Sequence, residues 1–217
     1  MSTTTVEDLT LEHFNALMDL VDNHATTALG MIKSGFSGPL PAISLGTLAD
    51  DATAASAGAG LAARATLPSA AKVAFRAHKT TTVNNLNTLK SHTQALTAAH
   101  VKKIQAGQNT PQDEKDFDAA IDAQTNSNVA GYTKDQKALG TTLKAIGHDN
   151  PAARRAIVAT FAEVSKFILG TLSDIGKFFI GLIGDIAHVL VKGVQMIGHK
   201  IAEAASSIGG LVESLLP

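Results

Sequence analysis

The chain has no cysteine and no tryptophan, and aromatic residues make up only 4 % of it. Without cysteine there is no disulfide framework, no thiolate nucleophile and no cysteine-type zinc site. Without aromatic bulk, Ala, Leu, Ile and Val must supply most of the apolar area of any core. Charge is scarce too: charged residues reach 17 %, below the quarter or so of an average globular chain, and the formal net charge is −1. Such a balance gives no electrostatic footprint for nucleic acid, which is not expected as a partner. The opening stretch MSTTTVEDLTLEHF lacks the basic and then apolar pattern of a secretory signal peptide. Localisation stays open between the cytoplasm and export by a signal-independent route.

Catalytic patterns are missing as well. There is no GxSxG, no P-loop and no GxGxxG between a strand and a helix. The glycine-rich stretches SGFSGP and ASAGAGLAA lack the strand and the lysine that a phosphate cradle needs. Eight histidines are present (13, 24, 78, 92, 100, 148, 188 and 199), but none falls in an HxxxH or HExxH spacing. No enzymatic activity, cofactor or metal is therefore expected. Protonating all eight would take the formal charge from −1 to about +7, so a response to pH is the better use for them.

What the sequence does contain is helical periodicity, and the expected fold is all-α: an elongated bundle of about four long helices. Residues 1–34 hold a first helix, Glu7 to Lys33, with Leu9, Phe14, Leu17, Leu20, Val21, Ala28, Leu29 and Ile32 on its apolar side. Residues 35–68 read as a Gly/Ala/Pro-rich connection with one short helix near Leu45 to Ala63. Residues 69–149 read as an antiparallel hairpin of two helices, each roughly 55 Å long. The first starts after Pro68 and runs to about Ala106, where Gly107 ends it, with Val73, Ala77, Leu86, Leu89, Thr93, Leu96, His100 and Ile104 as its seam. Thr110-Pro111 starts the second, with Phe117, Ile121, Gln124, Asn128, Tyr132, Leu139, Leu143 and Ile146 as its stripe and Gly147 as its stop. Thr93, His100, Gln124 and Asn128 put polar groups where a hairpin seam calls for leucine; such a seam weakens packing or specifies register.

Residues 150–217 read as one long, hydrophobic, amphipathic C-terminal helix begun by the cap Asn150-Pro151. Unbroken it would span about 100 Å, so a bend is expected at Gly193, Gly198 or Gly209-Gly210. Wound at ~100° per residue, its polar positions fall into one line that includes Asp174, Lys177, Asp185, His188, Lys192 and His199. Ser165 and Lys200 stand outside that line. The broad apolar face carries Phe161, Ile168, Leu172, Ile175, Phe179, Ile183, Ile186, Leu190, Val194, Ile197 and Ile201. A surface helix shows the reverse proportions, so something must enclose this one.

About fourteen large apolar residues lie between Phe167 and Val191, worth roughly −0.3 to −0.6 kcal/mol each on insertion. Asp174, Lys177 and Asp185 each cost about 2.5–3.5 kcal/mol near the bilayer centre. A single span does not insert on these terms; several copies turning their polar lines to a shared lumen would. Six glycines between Gly170 and Gly198 each cost about 1 kcal/mol against alanine, whether they serve close packing or metastability.

Long helices carrying one apolar segment resemble α-helical pore-forming toxins at the level of fold class. The function expected is a membrane-active helical protein, pore-forming or membrane-binding, that shields its C-terminal helix and then releases it to a bilayer. The expected partners are a lipid membrane and further copies of the same chain. The alternative is a non-enzymatic, self-assembling structural subunit that uses the C-terminal helix as an oligomer seam.

Overall fold

The computed structural model describes residues 9–34, 38–41, 67–185 and 192–216, and within these the side chains of 178–185, 192–195 and 197 are not described. The expected connection at 35–68, with its short helix, lies almost wholly outside the described residues, as do residues 186–191. Every regular element among the described residues is helical: α1 (Leu11–Lys33), α2 (Ser69–Gln105), α3 (Pro111–Asp149), α4 (Arg154–Asp185) and α5 (Lys192–Leu215). The fold is all-α.

Local chemistry sets most of the helix ends. Thr110 accepts the Asp113 amide at 3.2 Å, and Asp113 accepts the Thr110 amide at 3.0 Å, with Pro111 in the first turn. This reciprocal box satisfies two otherwise free donors. The Lys103 ammonium reaches the same carboxylate at 2.5 Å across the α2–α3 turn, and these bonds hold the Asp113 carboxyl down at about 2. Gly107 closes α2 with φ of 66°, the left-handed conformation that glycine adopts without penalty.

Asn150 behaves differently from the expected cap. Its side-chain amide donates backward to the Ile146 carbonyl at 2.8 Å, and a short 3-10 turn, Pro151–Ala153, intervenes before α4. Arg154, buried at this corner, donates to the carbonyls of Gly147 and Leu9 at 2.8 and 2.9 Å. It thereby places a cation at the negative end of α3.

The C-terminal region is two helices where the sequence reading took one. α4 is described as far as Asp185 and α5 from Lys192, and Gly193, Gly198, Gly209 and Gly210 all lie within α5. Cross-contacts fix the directions. Gln136 of α3 meets Ser165 of α4, and Gly147 meets Arg154, so α3 and α4 run antiparallel. Lys79 and Arg76 of α2 pair with Glu213 of α5, and Gln94 lies against Gly198, so α2 and α5 are antiparallel too. Because α2 and α3 are themselves antiparallel, as the Lys103–Asp113 and Asn85–Asp135 contacts require, α4 and α5 form a second hairpin. α1 lies antiparallel to α3, with Asp22 against Gly140 and Phe14 against Gly147, and parallel to α4, with Ile32 against Gly176.

The core draws on all five helices. Phe14 and Met18 of α1, Phe75 and Leu86 of α2, Leu143 of α3, Ile157, Phe161 and Ile168 of α4, and Ile201 and Ile208 of α5 are almost wholly enclosed. On α2 the buried positions, apart from Val101 at the end, are Ala71, Phe75, His78, Thr82, Leu86, Leu89, Thr93, Thr97 and His100. They repeat every eleven residues, a spacing that keeps one face turned inward along a nearly straight helix.

The expected seam is corrected here. Val73, 61 % exposed, and Ala77 face solvent, while Phe75, His78, Thr82 and Thr97 face inward. The seam is half polar, so apolarity alone misplaced it. On α3, Val129, Gln136, Gly140 and Gly147 join the stripe, and Gln124, Asn128 and Ile146 sit at its edge. On α1, Met18 and Ala25 are buried and Leu20 is exposed.

Candidate functional site

α4 divides cleanly around its axis. Phe161, Ile168, Leu172 and Ile175 of the expected apolar face are buried. Glu163, Lys166, Gly170, Asp174 and Lys177 of the expected polar line are exposed. Ser165, the exception to that line, is buried and accepts from the Gln136 side-chain amide at 2.5 Å. The stretch Pro151–Lys177 is long and apolar enough to cross a membrane by length and composition, and most of it is buried inside the bundle.

α5 repeats the division: Ile201, Ala205, Ile208, Val212 and Leu215 point inward, and His199, Lys200 and Glu203 face solvent. The side chains of Phe179, Ile183, Val194, Ile197, Asp185 and Lys192 lie outside the described residues, as do Ile186, His188 and Leu190 altogether. The structure thus places the described apolar residues of both helices against α1, α2 and α3.

The inward face of α2, which packs against α3 and α5, is partly polar. His78 Nε2, Thr82 Oγ1 and Thr93 Oγ1 are buried and have no hydrogen-bond partner. Each such group gives up water for nothing, at about 1–3 kcal/mol. Thr97 is better placed, bonding back to the Thr93 carbonyl at 2.8 Å. His100 stacks on Phe117 with ring centroids 4.5 Å apart.

The glycines add a second cost. Gly170, Gly209 and Gly210 have open space where a Cβ would go, so close packing does not account for them; Gly198 instead abuts Gln94. The first three lower helix stability by about 1 kcal/mol each and gain no contact in return. α5 therefore packs on a helix whose inward face is partly polar, and α4 and α5 carry glycines that make them less stable than they could be.

One polar layer crosses the whole bundle, and sequence reasoning did not find it. The Tyr132 hydroxyl donates to Gln136 Oε1 at 2.9 Å, and Gln136 donates on to Ser165 of α4. The His78 ring of α2 lies tilted against Tyr132, centroids 5.6 Å apart. From α1, Asp22 presses on the backbone of α3 at Gly140, and its Oδ1 is buried without a partner. Burial pushes the His78 imidazole down to about 4 and the Asp22 carboxyl up to about 6. Burial, together with the charges of Asp22 and Asp135, also raises the Tyr132 phenol. The signal in the sequence was the eleven-residue spacing of His78, Leu89 and His100, along with the misfit of Ser165.

Among the described residues no group of His, Asp or Glu side chains converges as metal ligands would. Comparison with family models, curated proteins and solved structures returned no match for this chain.

Proposed function

We propose that the protein is membrane-active: it holds the α4–α5 hairpin inside a helical bundle and delivers it to a lipid bilayer, where several copies assemble with their polar lines toward a common aqueous path. The observation that carries this reading is α4 itself. Its apolar face is long enough to span a bilayer and is covered by other helices of the chain, while Glu163, Lys166, Asp174 and Lys177 keep one charged stripe. The orphaned hydroxyls of Thr82 and Thr93 and the unpacked glycines support it further, because leaving the bundle lets those hydroxyls recover water.

Dye release from vesicles, combined with sedimentation of the protein with and without vesicles, tests the reading. Release together with lipid-dependent sedimentation is expected. Oligomers that form with rising concentration in the absence of lipid, and no release, would instead favour a structural subunit that assembles through the same hairpin.

A further inference from the structure

We infer that the layer formed by Asp22, Tyr132 and His78 is an acid-operated hinge that clamps α1 to α3 while it frees α2 from α3, so that α5 is the first helix uncovered. Three helices meet at this level, and each brings one titratable side chain. Asp22 comes from α1, Tyr132 from α3 and His78 from α2, with the tyrosine between the other two. Of the two outer groups His78 is buried and Asp22 half-buried; each carries a buried atom without a hydrogen-bond partner, and they have opposite charge types. A proton therefore does opposite things on the two sides. On Asp22 it removes a charge that the α1–α3 junction desolvates. On His78 it creates one in a place with nothing to receive it.

The surroundings of His78 do not rescue its cation. α3 presents the neutral phenol of Tyr132, whose hydroxyl is committed to Gln136, and Asp135, which already accepts from Asn85 Nδ2 at 3.1 Å. α1 presents Asp22, with Asp19, Lys144 and Lys137 around it. α5 presents Glu213, bound by Lys79 and Arg76. α4 presents Ser165 at this level, and its neighbours Glu163 and Lys166 face solvent.

Asp22, up at about 6, is neutral before His78, down at about 4, can charge within the closed bundle. Among the described residues no carboxylate acts on the ring, only its burial does, so a proton on it is best accommodated by opening α2 to water. α2 is the helix on which α5 lies, through Glu213 and Gly198, so its loosening bares the Ile201, Ile208 and Val212 face. The same arrangement puts the expected pH response on one buried histidine, His78.

Delivery of α5 to lipid rests on the membrane-active reading above; the hinge itself does not. Amide hydrogen exchange resolved by helix, corrected for the intrinsic rate at each pH, tests the hinge in the full chain without lipid. With His78 at about 4 closed and 6.5 open, the open fraction of α2 should rise about 20-fold between pH 7 and pH 5. Protection of α1 should rise several-fold over the same interval. His78→Phe should abolish the change in α2 and keep the change in α1, and Asp22→Asn should do the reverse. His78→Gln provides the same comparison with a polar, non-titrating side chain.

Loss of α2 protection that persists in both His78 variants, or α1 opening before α2, would overturn the hinge. Vesicle release measured in parallel separates the two ideas. A hinge that works in a protein releasing no dye defeats the membrane reading alone. Dye release with no change in α2 between pH 7 and pH 5 defeats the hinge alone.

Discussion

At the scale of single residues, the positions that decide stability are small or polar ones that hydrophobic periodicity passes over. A side chain at Gly147 would run into the ring of Phe14, which is fully buried and has no free space to retreat to. Gly147→Ala should therefore destabilise by about 1–3 kcal/mol through overpacking, offset by about 1 kcal/mol of helix propensity; a denaturant midpoint that rises would contradict it. The sequence reading took the same glycine as a helix stop, because glycine near a helix end usually is one, whereas its role is a close approach between α1 and α3. His78 and Asp22 make stability depend on pH in opposite directions. The folded His78 value lies below 6.5, so its contribution is complete above about 6.5 and is lost as pH falls toward about 4. The folded Asp22 value lies above 3.8, so the protein gains stability as pH falls from about 6 toward 3.8. For the deeply buried His78 the range is on the order of 3 kcal/mol; Asp22 is partly solvated and contributes less. Thermal melts from pH 7 to pH 4.5 should show His78→Phe gaining stability on acidification relative to the parent and Asp22→Asn losing it. Parallel curves for all three proteins would refute the assignment.

At the scale of elements, legibility followed the kind of signal each helix carries. Both ends of α2 and the start of α3 were legible because Pro68, Gly107 and the Thr110–Asp113 box act locally. The division of α4 was legible too, since Glu163, Lys166, Asp174 and Lys177 stay on one side whatever covers the other. The reversal of direction between α4 and α5 was not: there is no proline between them, and the apolar pattern runs on through 186–191. The inward face of α2 was half hidden for the opposite reason, because His78, Thr82, Thr93 and Thr97 look like surface residues and are buried. The exposed line on α4 gives a direct test. Asp174→Lys exchanges one solvated charge for another, so the folding stability of the protein should hold to within about 0.5 kcal/mol. In the bilayer the two charges cost about the same to insert, so conductance should persist while its preference shifts toward anions. Unchanged selectivity across a planar bilayer would place Asp174 away from any lumen.

At the scale of the whole molecule, the question is how many chains a bilayer response requires. The apolar residues between Phe167 and Val191 are worth about −4 to −8 kcal/mol on insertion, against about +7 to +10 kcal/mol for Asp174, Lys177 and Asp185 near the centre. A single chain that has left its bundle therefore still faces a net cost, and the cost falls when several polar lines share water. The bundle adds a second barrier, because the buried faces of α4 and α5 must part from Phe14, Phe75 and Leu143 before lipid can take their place. Both features put assembly inside the rate-limiting process. The initial rate of dye release should rise with at least the second power of protein concentration at fixed lipid, and sub-threshold protein should bind vesicles without emptying them. A rate linear in concentration down to a few chains per vesicle would mean that one hairpin suffices. The charged stripe of α4 would then lie along the headgroups, with no lumen for it to line.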